Sequence, residues 1–171
     1  MACNITAGRL EGCKDSVGGL NAIYFIQFGA AEGFTAVDET ITATGAASTT
    51  AFKYDLRGTS TFDQSLTSSR ENGSTFAEQT LTVSLKKQDA TTHKEVKLLA
   101  YSRPHVIIED NNGDHWIMGE EFGSEMSATT STGAAMGDKS GYELSFVATE
   151  KGFAKKYVGT FATDFAVTLG V

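Results

Sequence analysis

Three histidines, two cysteines and one carboxylate-rich turn are the parts of this chain whose residue types could carry chemistry. His93, His105 and His115 are spaced too widely for the HxH or HxxxH pairs that hold a metal on one strand or one helix turn. Each is expected to serve structure at a helix start or a strand edge. Cys3 and Cys13, with nine residues between them, match neither a zinc pattern nor a redox CxxC. They are read as free thiols in a reducing compartment, with a local disulfide as the alternative. No G-x-S-x-G elbow, P-loop or dinucleotide fingerprint occurs. Glu120 and Glu121 are adjacent carboxylates, but neighbours on a strand point to opposite faces. The chain is expected to be no enzyme and to need no cofactor.

The run DNNGDHWIMGEE, residues 110–121, partly matches a calcium loop. Asp110, Asn112, Asp114 and Glu121 fall at its first, third, fifth and twelfth positions, with the apolar Ile117 at the eighth. His115 stands where the sharp turn needs glycine. Asn-Asn-Gly between apolar runs is better read as a hairpin turn. Two N-x-S/T triplets, at Asn4 and Asn72, carry no meaning without a secretory signal.

The elements that would position these groups follow from periodicity. Residues 21–28, NAIYFIQF, are apolar on both alternating faces, as in a strand buried on both sides. In AFKYDLRG, Phe52, Tyr54 and Leu56 alternate with Lys53, Asp55 and Arg57. Residues 60–86 read as a long hairpin with a two-residue turn at Asn72-Gly73. Its return strand sets Leu81, Val83 and Leu85 against Thr80, Thr82, Ser84 and Lys86; its outgoing strand is far more polar. A helix is expected over about 92–102, started by a Thr92/Glu95 capping box and ended by Arg103-Pro104, with Val96, Leu99 and Ala100 on one face. A second hairpin turns at Asn111-Asn112-Gly113, and a last pair joins SEMSATTST to GYELSFVATE. Residues 40–51 read as a flexible loop, 1–20 as an N-terminal arm and 152–171 as a C-terminal strand or arm around a central domain, 21–151. Seven to nine strands and one helix are expected in total, a mainly β sandwich or open barrel with a flanking helix.

The 171 residues, 40% hydrophobic and 20% charged, can bury one core. A net charge of −7 and a pI near 4.9 leave no basic stripe to grip phosphates. An acidic surface keeps polyanions from adhering, which suits a conduit as well as a bystander. MACNITAGRLEG has no apolar signal core and no run is long enough to span a membrane, so folding in a cytoplasm is expected.

In order along the chain stand FDQSLTSSRENGSTFAEQTLTVSLKK, HKEVKLLAYSRP, VIIEDNNGDHWIMGEE and GSEMSATTSTGAAMGDKSGYELSFVATEK. This succession resembles the tail tube (major tail) proteins of tailed bacteriophages, notably the type with a TGxAMGDxxGYxLxFxxxE stretch, here Thr132 to Glu150, and with CKDSVGGL, here Cys13 to Leu20. The resemblance implies a structural virion protein, assembled in the host cytoplasm as hexameric rings that stack into a tube. Strands of each subunit would join a barrel around a channel that holds the tape measure protein and later passes DNA without specific binding. Further partners would be the tail terminator, baseplate or tip proteins and, in a contractile tail, the sheath. On that basis the hairpin 60–86 and the strands 125–132 and 141–150 are expected to form the barrel. Asp63, Gln64, Ser68, Glu71, Glu78 and Glu143 are the candidates to line the lumen. Cys13, Lys14, Asp15, Thr42, Thr44, Phe161 and Phe165 are the candidates for contacts between rings. The competing readings are a terminator or neck ring, an injection-system tube, and a monomeric ligand- or carbohydrate-binding β-sandwich.

Overall fold

The computed structural model describes residues 7–29, 34–43 and 49–169. The described chain runs β1 (Leu20–Ile26), β2 (Phe34–Val37), β3 (Thr40–Ala43), β4 (Thr50–Asp55), β5 (Thr61–Ser69), β6 (Ser74–Lys86), α1 (Ala90–Tyr101), β7 (His105–Asp110), β8 (His115–Met118), β9 (Glu125–Ser131), β10 (Gly141–Glu150), β11 (Lys155–Tyr157), α2 (Phe161–Asp164) and β12 (Ala166–Leu169). These form an eight-stranded sheet in the order β12-β4-β1-β7-β8-β11-β3-β2 and a four-stranded sheet in the order β5-β6-β10-β9. The larger sheet curls into an open half-barrel, giving a mainly β sandwich with a helix on its flank.

The two-sided apolar pattern of β1 is explained by its place between β4 and β7. Ile23 and Phe25 face the core between the sheets, with Leu81, Val83, Leu144, Phe146 and Val96 of α1. Ala22, Tyr24 and Ile26 face the hollow of the curl, filled by Ile41, Ile107, Ile117, Tyr157, Phe161 and Phe165. One strand thus serves two cores.

The lower ends of the sheets are linked by residues 56–60, where Ser84 N donates to Ser60 Oγ. Their upper ends are stitched by buried polar groups. Gly119 N donates to Gln79 Oε1, and the His105 ring nitrogen Nδ1 lies 2.6 Å from Gly119 O, so the ring donates there. Burial outweighs that bond and lowers the His105 pKa, which keeps the ring neutral. Glu150, 6% exposed, accepts from the backbone N–H groups of Glu121 and Phe122 and closes the turn after β8.

Several expectations are corrected. The capping box does not start α1. The helix begins at Ala90 with Asp89 at the N-cap in extended conformation, because Tyr142 Oη accepts from Asp89 N and anchors this turn on β10. Ala100 is exposed and only Val96 of the helix is fully buried. The first hairpin closes with a four-residue loop, 70–73, since Ser69 pairs with Ser74; among its residues only Gly73 has positive φ, at 61°. That rules out a two-residue type I′ turn. Residues 40–43 are strand rather than loop, because Ile41 is fully buried and β3 pairs with both β2 and β11. Among the described residues, twelve strands and a second short helix exceed the expected number, the additions being short strands held by neighbours.

Candidate assembly face

In an antiparallel sheet, residues directly opposite one another share a face. The register therefore sorts every side chain of the four-stranded sheet. Phe62, Leu81, Phe146 and Met126 form one row across it and face the core. The next row, Asp63, Thr80, Val147 and Glu125, faces away. Ser65, Glu78 and Thr149 continue that outer face above it; Thr61, Thr82, Ser145 and Ser127, then Ser84, Glu143 and Thr129, continue it below. Hydroxyls and carboxylates dominate, interrupted by two apolar side chains, Val147 and, in the row of Thr67 near the hairpin loop, Phe76, each 39% exposed.

Asp63, Glu78 and Glu143 are thus brought onto one exposed face by β5, β6 and β10. Glu125 of β9 joins them; sequence reasoning missed it, although its alternation with Ser127 and Thr129 was the available signal. Gln64 and Ser68 do not belong there. Their parity turns them to the opposite face, where Gln64 pairs with Gln79 and its Oε1 accepts from Ala154 N at 2.6 Å. Glu71 lies in the hairpin loop rather than on a strand.

Among the described residues Asp63, Glu78 and Glu125 have no ion-pair partner. Glu143 is bound by Lys139 at 2.6 Å, and the same ammonium donates to Ser84 Oγ. Lys139 sits on a braced loop. The Asp138 carboxylate accepts from Ala134 N and Ala135 N, and these bonds hold its pKa below the usual value. Met136 stands fully exposed at the tip of that loop.

Both outer strands of this sheet, β5 and β9, have one edge without a strand partner among the described residues. Open edges present rows of unpaired N–H and C=O groups and invite another strand. Since the four strands alternate in direction, the free edge of β5 in one copy would meet the free edge of β9 in the next as an antiparallel pair.

The other expected sites fall in different places. Cys13 is an exposed free thiol on the extended segment before β1, with Lys14 and Asp15 exposed beside it. Thr42 is exposed on β3, while Thr44 and Cys3 lie outside the described residues, and with Cys3 the question of its pairing. Phe161 and Phe165 are corrected as external contacts. At 8% and 3% exposure they plug the chain's own half-barrel, Phe161 stacking on His115 with ring centroids 5.1 Å apart. Apolar side chains of that size fill a hollow core before they wait for a partner.

The calcium reading is not supported by the geometry. Asp110 accepts from Asn112 N, Asp114 N and Trp116 Nε1, bonds that lower its pKa despite some burial. Asp114 pairs with Lys156 and Glu121 with Lys151. The proposed ligands are spent on separate partners, and no metal-holding group of His, Cys, Asp or Glu exists among the described residues. The histidines stay apart: His93 contacts Tyr142, His105 sits under Phe28, and His115 lies 3.8 Å from Glu109.

Comparison with known proteins returns no match: no family model, no curated protein and no solved structure.

Proposed function

We propose that this chain is a self-assembling structural subunit that forms rings stacked into a tube, the part played in a phage virion by the tail tube. The observation that carries the reading is the four-stranded sheet: one face packed, the other bare and acidic, and both edges open. Lateral pairing of β5 with a neighbour's β9 would satisfy the edges and curve the sheets into a barrel. The same closure would turn the face of Asp63, Glu78, Glu125 and Glu143 inward. Six sheets, the ring size the resemblance implies, would give roughly 24 strands and a backbone diameter on the order of 45 Å at ~4.8 Å strand spacing and ~40° tilt. A wall of hydroxyls and carboxylates would repel phosphate and let a polyanion pass without adhering. The tape measure protein inside and the terminator and tip at the ends are the partners this role calls for, and the virion is its location.

The incompleteness of the lone subunit lies in its sheet edges and its N-terminal segment. It does not lie in its C-terminal segment, which is docked. Negative-stain electron microscopy of the concentrated protein tests the proposal. Hollow tubes of uniform width are expected. Isolated rings would favour a terminator, and a monomer at high concentration would overturn assembly altogether.

A further inference from the structure

The strands of the four-stranded sheet do not end level. β5 runs from Thr61, opposite Thr82, up to Ser69, opposite Ser74. Its last residues overhang β10, which stops at Glu150, opposite Ala77. β9 starts lower, at Glu125 opposite Val147, and runs down to Ser131, opposite Gly141 at the foot of β6. Gln88 Nε2 donates to Ser131 O and finishes β9 there. The sheet is a parallelogram with one outer strand high and the other low.

A β5 edge paired with the β9 edge of another copy must match faces, or the apolar row turns to the wrong side. Glu125 shares the outer face with Asp63 and Ser65, so its partner on β5 is Asp63, Ser65, Thr67 or Ser69. Opposite Asp63 it meets a like charge, which destabilises a cross-strand pair. Opposite Ser65 it leaves Thr130 and Ser131 of β9 beyond the start of β5. Opposite Thr67 the whole of β9 is paired, and Ser131 meets Thr61, the first residue of β5. Opposite Ser69 the whole of β9 is paired again, but Met126 falls on Ser68 and Leu66 on Ala128.

The partner also sets the pitch of a closed barrel. One row perpendicular to the strands runs from Asp63 through Thr80 and Val147 to Glu125. With Glu125 on Thr67 of the next copy, each subunit lifts that row from Asp63 to Thr67. The lift is about 13 Å over a sheet width of about 19 Å, at ~3.3 Å rise and ~4.8 Å strand spacing. It gives a strand tilt of about 35°, within the range of about 35–45° at which barrels close. Ser65 gives about 19° and Ser69 about 46° by the same geometry.

We propose that neighbours in a ring are joined by β5 of one copy and β9 of the next in the register that sets Thr67 opposite Glu125 and Leu66 opposite Met126. Leu66 is 49% exposed in the lone subunit and Met126 is half-buried at the core rim; the joint covers each with the other. On the outer face Asp63 comes opposite Thr129, so both carboxylates at the joint face hydroxyls. The inference rests on the ring reading and names the side chains of its lateral contact. The two edges of one subunit lie three strand spacings apart, about 14 Å, and cannot pair within one chain. The chain's own exposed segment, residues 7–16, fits neither edge. Its charges fall on both alternating faces, Arg9, Glu11 and Asp15 on one and Lys14 on the other, so neither face extends the apolar row.

The test uses the full chain with Cys3→Ser and Cys13→Ser. Adding Ser65→Cys and Ser127→Cys sets two sulfurs directly opposite across the joint, at a spacing a disulfide accepts. Mild oxidation of the assembled protein is expected to give, on a non-reducing gel, a ladder that stops at the ring size. Two control pairs are directly opposite only in the neighbouring registers: Ser65→Cys with Thr129→Cys, and Asp63→Cys with Ser127→Cys. Both are expected to cross-link several-fold less. Equal or stronger cross-linking of a control overturns the register. So does an absent ladder in the first pair where microscopy shows its rings or tubes, and either result leaves the ring reading standing. A parent protein that forms neither rings nor tubes overturns both. Cys13 kept beside Ser65→Cys examines the rival occupant: a disulfide within the monomer would put residues 7–16 on the β5 edge and overturn the joint. Leu66→Asp needs no cross-link. It is expected to raise the concentration required for assembly several-fold while the unassembled subunit melts at nearly the parent temperature. An unchanged assembly concentration would overturn the inference even if the cysteine variants failed to fold.

Discussion

The two sheets of this molecule are finished to different degrees. The eight-stranded sheet is buried on both faces along β1, and its hollow is plugged by Tyr157, Phe161 and Phe165 from the chain's own C-terminal segment. The four-stranded sheet packs one face, leaves the other largely to hydroxyls and carboxylates, and ends on both sides in strands without a strand partner among the described residues. A sheet that carries its own plug needs no partner, whereas a sheet with two free edges keeps its backbone bonding capacity for another chain. On the proposed reading, assembly would draw on one layer while the other supplies the stability.

The sharpest way to break this contrast is to remove the plug. Phe161→Ala is expected to cost about 3–5 kcal/mol, because it deletes a buried ring and leaves a cavity among Tyr24, His115 and Phe165. Chemical denaturation measures it; a loss below about 1 kcal/mol would mean that the C-terminal segment is not docked as described.

A middle-sized effect comes from two buried polar groups: His105, which braces Gly119 within the larger sheet, and Glu150, which reaches from the smaller sheet to the turn after β8. The His105 pKa is lowered on folding, so the unfolded chain binds the proton more tightly. The contribution of His105 is therefore complete above the unfolded value near 6.5 and is lost as pH falls from there toward the folded value. A stability profile against pH should fall over this range in the parent and flatten in His105→Asn. Glu150 acts in the opposite direction, since burial raises its pKa and the folded state holds that proton more tightly. Its contribution declines as pH rises through the range above the ordinary glutamate value of 4.5. Glu150→Gln should remove that decline while keeping an acceptor for Glu121 N and Phe122 N.

The smallest expected effect sharpens the comparison from the other side. Asp63→Ala, Glu78→Ala and Glu125→Ala should each change subunit stability by no more than about 0.5 kcal/mol, because these side chains are exposed and have no ion-pair partner among the described residues. Larger losses in thermal melts would place the outer face inside the subunit's own economy of contacts and remove it as a surface reserved for a channel.

Much of the fold was legible in the residues alone. The two-sided burial of β1 and the inward set Leu81, Val83, Tyr142, Leu144 and Phe146 followed from alternation, which needs no knowledge of partners. Of the residues offered for a lumen, Asp63, Glu78 and Glu143 share one face of the sheet while Gln64 and Ser68 turn to the other; alternation alone could not sort them, because parity within a strand is fixed only once the register to its neighbour is known. The short strands β2 and β3 were not anticipated: four residues carry little periodicity, and they lack the Asn-Asn-Gly turn that marks the equally short β8.

What the order of residues determined by itself was a β-rich chain with an acidic surface, a polar outgoing hairpin strand and a hairpin turn at Asn111-Asn112-Gly113. What only the tertiary structure decided was which segments close on themselves. Phe161 and Phe165 looked available until a hollow of the right size was seen to hold them. Burial depends on where a cavity lies in three dimensions, and a side chain's own chemistry does not say where that will be.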